Sequence, residues 1–166
     1  MLNAATVLAL EAFPDQLEAH FAAVPEGFRH WAPPTWDGIP SEAFTAIEQV
    51  CHVRDIEIDG YHVRLRRTLA ETRPTLASID SEALAIERDY GSANPDAALA
   101  DFRRARLDTL ALITSLNHQD LAHAAVFEGY GPLTLRSLVH YLCSHDQQHL
   151  AGLQWLLGKI DAAPLG

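Results

Sequence analysis

The strongest constraint on the fold lies between Leu133 and Leu157, where apolar residues recur at steps of three and four. Leu135, Leu138 and Leu142 define one stripe of a helix, and the same steps lead to His145, His149, Gly152 or Leu153, and Leu156. The two histidines of "SHDQQHL" therefore occupy core positions on one face, a single turn apart. A histidine on an apolar face is most often a core residue satisfied by a hydrogen bond, and HxxxH arises often by chance. Two such neighbours are costlier, because each buried polar group left unpaired costs about 1–3 kcal/mol. A shared metal ion removes that cost if another helix supplies a third ligand.

The rest of the chain reads as helices of the same kind. A first helix is expected from Asn3 to Ala23, with Val7, Leu10, Leu17 and Phe21 inward and a kink or break at Pro14. The segment "VPEGFRHWAPPTWDGIP" reads as a loop pinned to the bundle by Trp31 and Trp36. Ser41 is the expected N-cap of a second helix, with Glu42 at the positive end of its dipole. That helix reaches about Thr72 and carries Phe44, Ile47, Val50, Cys51, Ile58, Tyr61, Leu65 and Leu69 on one face, with Gly60 marking a bend or a close contact. A long connection from Arg73 to Asn94 holds a short helix near Ser81 to Arg88. Asn94-Pro95-Asp96 starts a third helix that runs to about Leu116, and Gly131-Pro132 opens a fourth that ends near Gly158. No alternating strand pattern of useful length is present. The expected fold is all-α: a four-helix bundle with long connections, as one domain over residues 1–166.

Composition bounds the partners. A net charge of -10 excludes sequence-independent nucleic-acid binding and docking on anionic membranes. No apolar run of about 18 residues exists, so no transmembrane helix is expected. The opening "MLNAATVLAL" lacks a basic start and meets Glu11 at once, so it reads as helix rather than as a signal. Cys51 and Cys143 form no CxxC, and a cytoplasmic, reducing location is the expectation.

Nine histidines are available, and the third ligand is sought among them. His52 comes first: it shares a minor stripe of the second helix with Ile56 and Val63, which permits an inward direction without requiring it. His62 is off that phase, and His140 falls on the far side of the fourth helix. His118 and His123 lie in a long connection and could cap the site; His20 and His30 have no supporting pattern. Cys51 reads as a small core residue and Cys143 lies off the stripe. Glu48 and Asp55, a turn either side of His52, could orient its second nitrogen, although Glu48 reads slightly better as a surface charge. Other chemistries lack their motifs. "HDQQH" has Asp where a zinc protease needs Glu, no Glu-x-x-His appears, and there is no P-loop, GxGxxG or GxSxG. Arg64, Arg66 and Arg67, and likewise Arg103, Arg104 and Arg106, read as solvated faces.

Two stretches resemble the signatures of the DinB-like (YfiT-like) metalloenzyme superfamily. "AFTAIEQVCHVRDIEIDGYHVRL" is similar to the first, in which a tryptophan-containing loop precedes a helix carrying His-Leu/Val, an acid, then Glu. "GPLTLRSLVHYLCSHDQQHLAGLQWLL" is similar to the second, a Gly-x-x-Thr lead-in to a helix with His-(Asp/Glu)-x-x-His. The resemblance implies a four-helix bundle, often a homodimer, holding one divalent metal on three histidines, here His52, His145 and His149. Zn or Ni is the expected metal, and Mn and Fe also accept this ligand set. The implied activity is transfer or hydrolysis, with a low-molecular-weight thiol or water attacking a small-molecule electrophile. Glu57 matches the family's acid, yet on a straight helix it points away from His52. The alternative is a non-catalytic bundle whose metal is structural, or whose histidines bind a ligand or mediate assembly.

Overall fold

The apolar periodicity resolves into four long helices in the computed structural model, which describes residues 1–165. Helix α1 spans Ala4–Ala23, capped by the Asn3 side chain, and passes through Pro14 without interruption. The second long helix is continuous but has three parts: α2 (Ala46–Asp55), a π-helical segment (Ile56–Tyr61) and α3 (His62–Ala70). The short α4 (Ser81–Glu87) lies in the next connection, close to its expected position. Helix α5 (Pro95–Ser115) starts at the Asn94 cap with Pro95 in its first turn, and α6 (Leu135–Ala162) closes the bundle. Around the bundle, α1 packs on α6 and α5, and α2 packs on α5 and α6. Among the described residues no helix is long and apolar enough to cross a membrane.

Four expectations are corrected. The N-cap of α2 is Thr45, not Ser41; the Glu48 carboxylate accepts from the Thr45 backbone N–H and hydroxyl, both at 2.8 Å. Gly131-Pro132 does not open the last helix. These residues belong to strand β3 (Gly131–Thr134), antiparallel to β2 (Ala124–Phe127), which pairs in parallel with β1 (Thr75–Leu76). The strands have two to four residues, too few to show alternation in a sequence, and Pro132 is tolerated because β3 is an edge. Helix α6 also continues past Gly158 to Ala162. Finally, Ile58 and Val63 are exposed, at 37% and 45%, rather than on inward stripes. The π-segment accounts for this: the His62 N–H bonds the Glu57 carbonyl, five residues back, and the added residue rotates the downstream half of the helix.

The apolar core is divided in two. One cluster takes Phe13, Leu17 and Phe21 of α1, Val50 and Cys51 of α2, Phe102 of α5, and Leu150, Leu153 and Leu156 of α6. The other takes Leu10, Ile56, Tyr61, Leu65, Ile113 and the first turns of α6, Leu135 to Leu142. Between them a polar layer crosses the bundle. Arg106 of α5 is fully buried and forms ion pairs with Glu57 and Asp146, with donor–acceptor distances of 2.7–3.0 Å. It also donates to the Leu10 carbonyl at 3.1 Å, so a single guanidinium ties together all four long helices. Thr109 donates to Glu57 at 2.6 Å, and His62 bonds Thr109 and the Ala105 carbonyl. Arg106 is thus no solvated cation, in contrast to Arg103 and Arg104, which pair on the surface with Asp15, Glu18 and Asp101. Arg64 is buried as well.

Two carboxylates facing one guanidinium leave an excess negative charge. Burial pushes the Asp146 carboxyl up to about 7 despite the pull of Arg106. Arg106 itself is held protonated, because the two acids outweigh its burial. Removing it strands both carboxyl groups in the core. Arg106→Met should therefore lower the unfolding free energy by about 3–5 kcal/mol, measured by urea denaturation at neutral pH. A loss below about 1 kcal/mol would show that the layer is not the bundle's tie.

Candidate metal centre

The turn of α6 between the two apolar clusters carries His145, Asp146 and His149. Across from it α2 presents His52, and the three imidazoles converge. Nε2 of His145 lies 3.1 Å from Nε2 of both His52 and His149. One ring nitrogen from each residue falls in a set whose members are all within 4.8 Å of one another. His52 and His149 are fully buried and His145 is partly so. Donors about 2.0–2.1 Å from one ion, at square to tetrahedral angles, stand roughly 2.9–3.4 Å apart, so the two 3.1 Å separations suit a shared cation.

The hydrogen bonds around His149 determine which nitrogen faces the centre. Gln49 Nε2 donates to Ser41 Oγ at 2.9 Å and to the carbonyls of Phe44 and Glu42 at 3.3 and 3.5 Å. Carbonyls only accept, so the amide cannot be turned over, and Gln49 Oε1 must be the atom that meets His149 Nδ1. His149 Nδ1 therefore carries a proton, and its Nε2 offers an electron pair to the centre. That Nε2 is 3.3 Å from Glu42 Oε2, while Glu42 Oε1 is 3.7 Å from His52 Nε2. A carboxylate facing electron pairs is attractive only with a cation between them, whether a proton or a metal ion. The donor set thus fits a divalent metal.

Electrostatics agree with that arrangement. Burial, reinforced by neighbouring His149, lowers His52 to about 3. Burial and the adjacent histidines also take His145 well below the ordinary histidine range. Both are therefore neutral donors at physiological pH. Burial works to raise Glu42, and only positive charge beside it, as on protonated His149 and His52, pulls it down to about 2, so with neutral imidazoles the carboxylate calls for another cation in their place.

The structure brings His52, His145 and His149 together and leaves the other histidines outside. His140 is exposed and bonds Thr6; His123 bonds the Thr68 carbonyl, and His118 is exposed, so neither caps the centre. Cys51 is a core thiol pushed up to about 11 by burial, and Cys143 is half-buried off the centre. Glu48 is taken up by the Thr45 cap. Asp55 bonds Arg54, Tyr90 and Arg88, while His52 Nδ1 is buried without a partner, so neither acid orients it. Glu57 does turn inward, through the π-segment, but to Arg106 rather than to His52.

Sequence reading missed Gln49 and Glu42. Gln49 lies three residues before His52, on the same side of α2, which was a usable signal. Glu42 was masked by its resemblance to a helix-start acid. Gly152 completes the unit: a Cβ there would lie 2.5 Å from Ser41 Oγ and 3.0 Å from Gln49 Nε2. Gly152→Ala should therefore displace the Ser41–Gln49 contact and destabilise the fold by about 1–3 kcal/mol, seen as a lowered thermal midpoint. An unchanged midpoint would mean that the contact yields freely.

Acid should act on the same residues. His52 and His145 take up protons less readily folded than unfolded, so stability is full above the unfolded value of 6.5 and falls as pH drops below it. Urea titrations of the metal-free chain from pH 8 to 4 should show a midpoint that declines below about pH 6.5. Asp146, raised to about 7, works the other way over this range, but one group against two leaves a net decline, and a flat profile would contradict the burial of neutral imidazoles.

Comparison with known proteins agrees with this architecture. The comparison with curated proteins returned no match. Among solved structures the chain is similar to YfiT from Bacillus subtilis, described as a probable metal-dependent hydrolase with an unusual four-helix bundle topology. The two share 21% sequence identity, with a TM-score of 0.81 over 94% of this chain and 86% of that one. At this identity the likeness speaks to the fold, a four-helix bundle. The sequence model of the DinB superfamily matches residues 9–153, nearly the whole bundle, and the chain belongs to that superfamily.

Proposed function

We propose that the protein is a metal-dependent enzyme in which His52, His145 and His149 hold one divalent ion, Zn2+ or Ni2+. In this reading the centre activates a thiol or a water molecule for attack on a small electrophile, as a thiol S-transferase or a hydrolase. The observation that carries it is the Gln49-fixed tautomer of His149, which aims an electron pair at two further imidazole nitrogens and at Glu42. Three imidazoles suit borderline metals, and three protein ligands with open space beside them are the pattern of catalytic rather than structural zinc.

When bound, such an ion supplies a Lewis acid that lowers the pKa of a thiol or water beside it. The chain's own residues do the rest. Gln49 holds His149 in the donor tautomer, and through its NH2 group it also holds the Ser41–Phe44 loop that carries Glu42. Glu42 stands beside His149 and His52 and is about one-third exposed, so its carboxylate is placed to take the proton that the nucleophile gives up. A cleft of about 140 Å3, lined by His52, His145, Glu42, Tyr61 and Tyr130, opens at the centre and has room for a small molecule.

The test begins with metal analysis of protein purified without a histidine tag. One equivalent of Zn or Ni per chain is expected, lost in His149→Ala and bound about 10–100-fold more weakly in Gln49→Leu. Metal-free wild type whose stability is unaffected by His149→Ala would sink the reading. On loaded protein, a panel of thiols and electrophiles then separates enzyme from structural metal. Glu42→Gln should keep the metal and lower the rate at least 100-fold; full metal without turnover of any pair would favour a structural ion.

A further inference from the structure

The cleft beside the histidines contains a buried cation with no counter-charge. Among the described residues two arginines are buried, Arg64 at 6% exposure and Arg106 at 0%. Arg106 is matched by two carboxylates, whereas Arg64 has none within ion-pair distance. Its guanidinium lies 4.4 Å from the Phe127 ring centre and 5.2 Å from that of Tyr61. Nε and Nη2 both donate to the Ala77 carbonyl, at 3.3 and 3.2 Å. Nη1 has no acceptor and rests over Gly60, where even a Cβ would come within 2.9 Å of it.

A guanidinium largely withdrawn from water, with Nη1 still reaching solvent and no anion beside it, is costly to hold, and aromatic faces and a carbonyl offset that cost only in part. Burial accordingly lowers the Arg64 pKa. The π-segment and Gly60 place the group where it lines the same cleft as His52 and His145. Tyr61, Tyr130, Ser78 and Ser81 add hydroxyl groups to that cleft, and Glu42, its acid, is turned to the histidines.

We infer that Arg64 is the anchor of an anion subsite and that the substrate is a small molecule bearing a carboxylate, held by Arg64 with its reactive carbon towards the histidines. This rests on the metal-centre reading for the reaction, but the subsite itself requires no metal. The cleft, about 140 Å3, has room for the carboxylate and a few neighbouring atoms of such a molecule. An Arg–carboxylate pair supplies direction as well as affinity: the Nε–Nη2 edge is held by the Ala77 carbonyl, which leaves the Nη1–Nη2 edge to set the plane of the acid.

Binding of acetate, propionate, pyruvate and benzoate, each beside its neutral amide, can be measured by ligand-observed NMR. The proteins are metal-free and Zn2+-loaded wild type, His149→Ala, Arg64→Gln and Arg64→Lys. At least one acid is expected to bind metal-free wild type and His149→Ala alike, its amide should not bind, and Arg64→Gln should weaken it at least tenfold. Arg64→Lys keeps the charge but not the fork and should fall between; it serves as the test if Arg64→Gln does not fold. Equal affinity in the folded Arg64 variants and wild type overturns the inference, as does failure of every acid to bind wild type. Binding seen only with Zn2+ and lost in His149→Ala also overturns it, because the anion would then belong to the metal. If wild type takes up no metal yet its acid binding depends on Arg64, the subsite stands and the metal reading alone falls.

Discussion

One guanidinium in the middle of the bundle sets the terms for everything around it. Arg106 reaches Glu57, Asp146 and the Leu10 carbonyl, and so joins all four long helices at one level. Such a layer contributes little net energy compared with an apolar core of the same volume, because desolvation offsets the attraction. Its effect is on register. Leucines can slide along one another at small cost, whereas a two-sided ionic clamp has one arrangement. Asp146 comes directly after His145, and Glu57 lies five residues after His52, so fixing the clamp also fixes the height at which α2 and α6 present their imidazoles.

The centre adds a second, smaller organiser. The Gln49 amide faces two ways: its oxygen sets the proton on His149, and its nitrogen gathers the loop that bears Glu42. A proton position on one helix and a carboxylate position on a loop thus depend on one planar group. Gly152 makes this possible by leaving Ser41 and Gln49 room against α6.

Much of this was legible in the sequence, for physical reasons that differ by residue. The phase of Leu135, Leu138 and Leu142 carried straight through His145 and His149 because α6 is regular there. The Asn94-Pro95 start of α5 was legible because capping chemistry is local. His52 was only permitted by periodicity, and the family resemblance singled it out. Arg106 was misread because two neighbouring arginines do face water; its spacing with Phe102, Thr109 and Ile113 was the discriminating signal. Glu57 and Val63 could not be placed by counting, since a π-turn breaks the count without leaving a composition signal. The sheet was invisible because its strands are shorter than any pattern, and Glu42 because a loop residue has no period.

The π-segment has a consequence for how this helix can vary. Upstream of Ile56 the helix answers to the histidine cluster, and downstream of Tyr61 it answers to the cleft wall and Arg64. The extra residue uncouples the angular setting of the two halves, so each can be adjusted against its own neighbours. Were the same residues wound as an unbroken α-helix, without the π-turn at Ile56–Tyr61, the downstream half would be turned by about 100°. Wall and cluster would then no longer share an opening, although every side chain that makes them was still present. The winding of the chain at this point is therefore part of the site, in the same sense as the residues that line it.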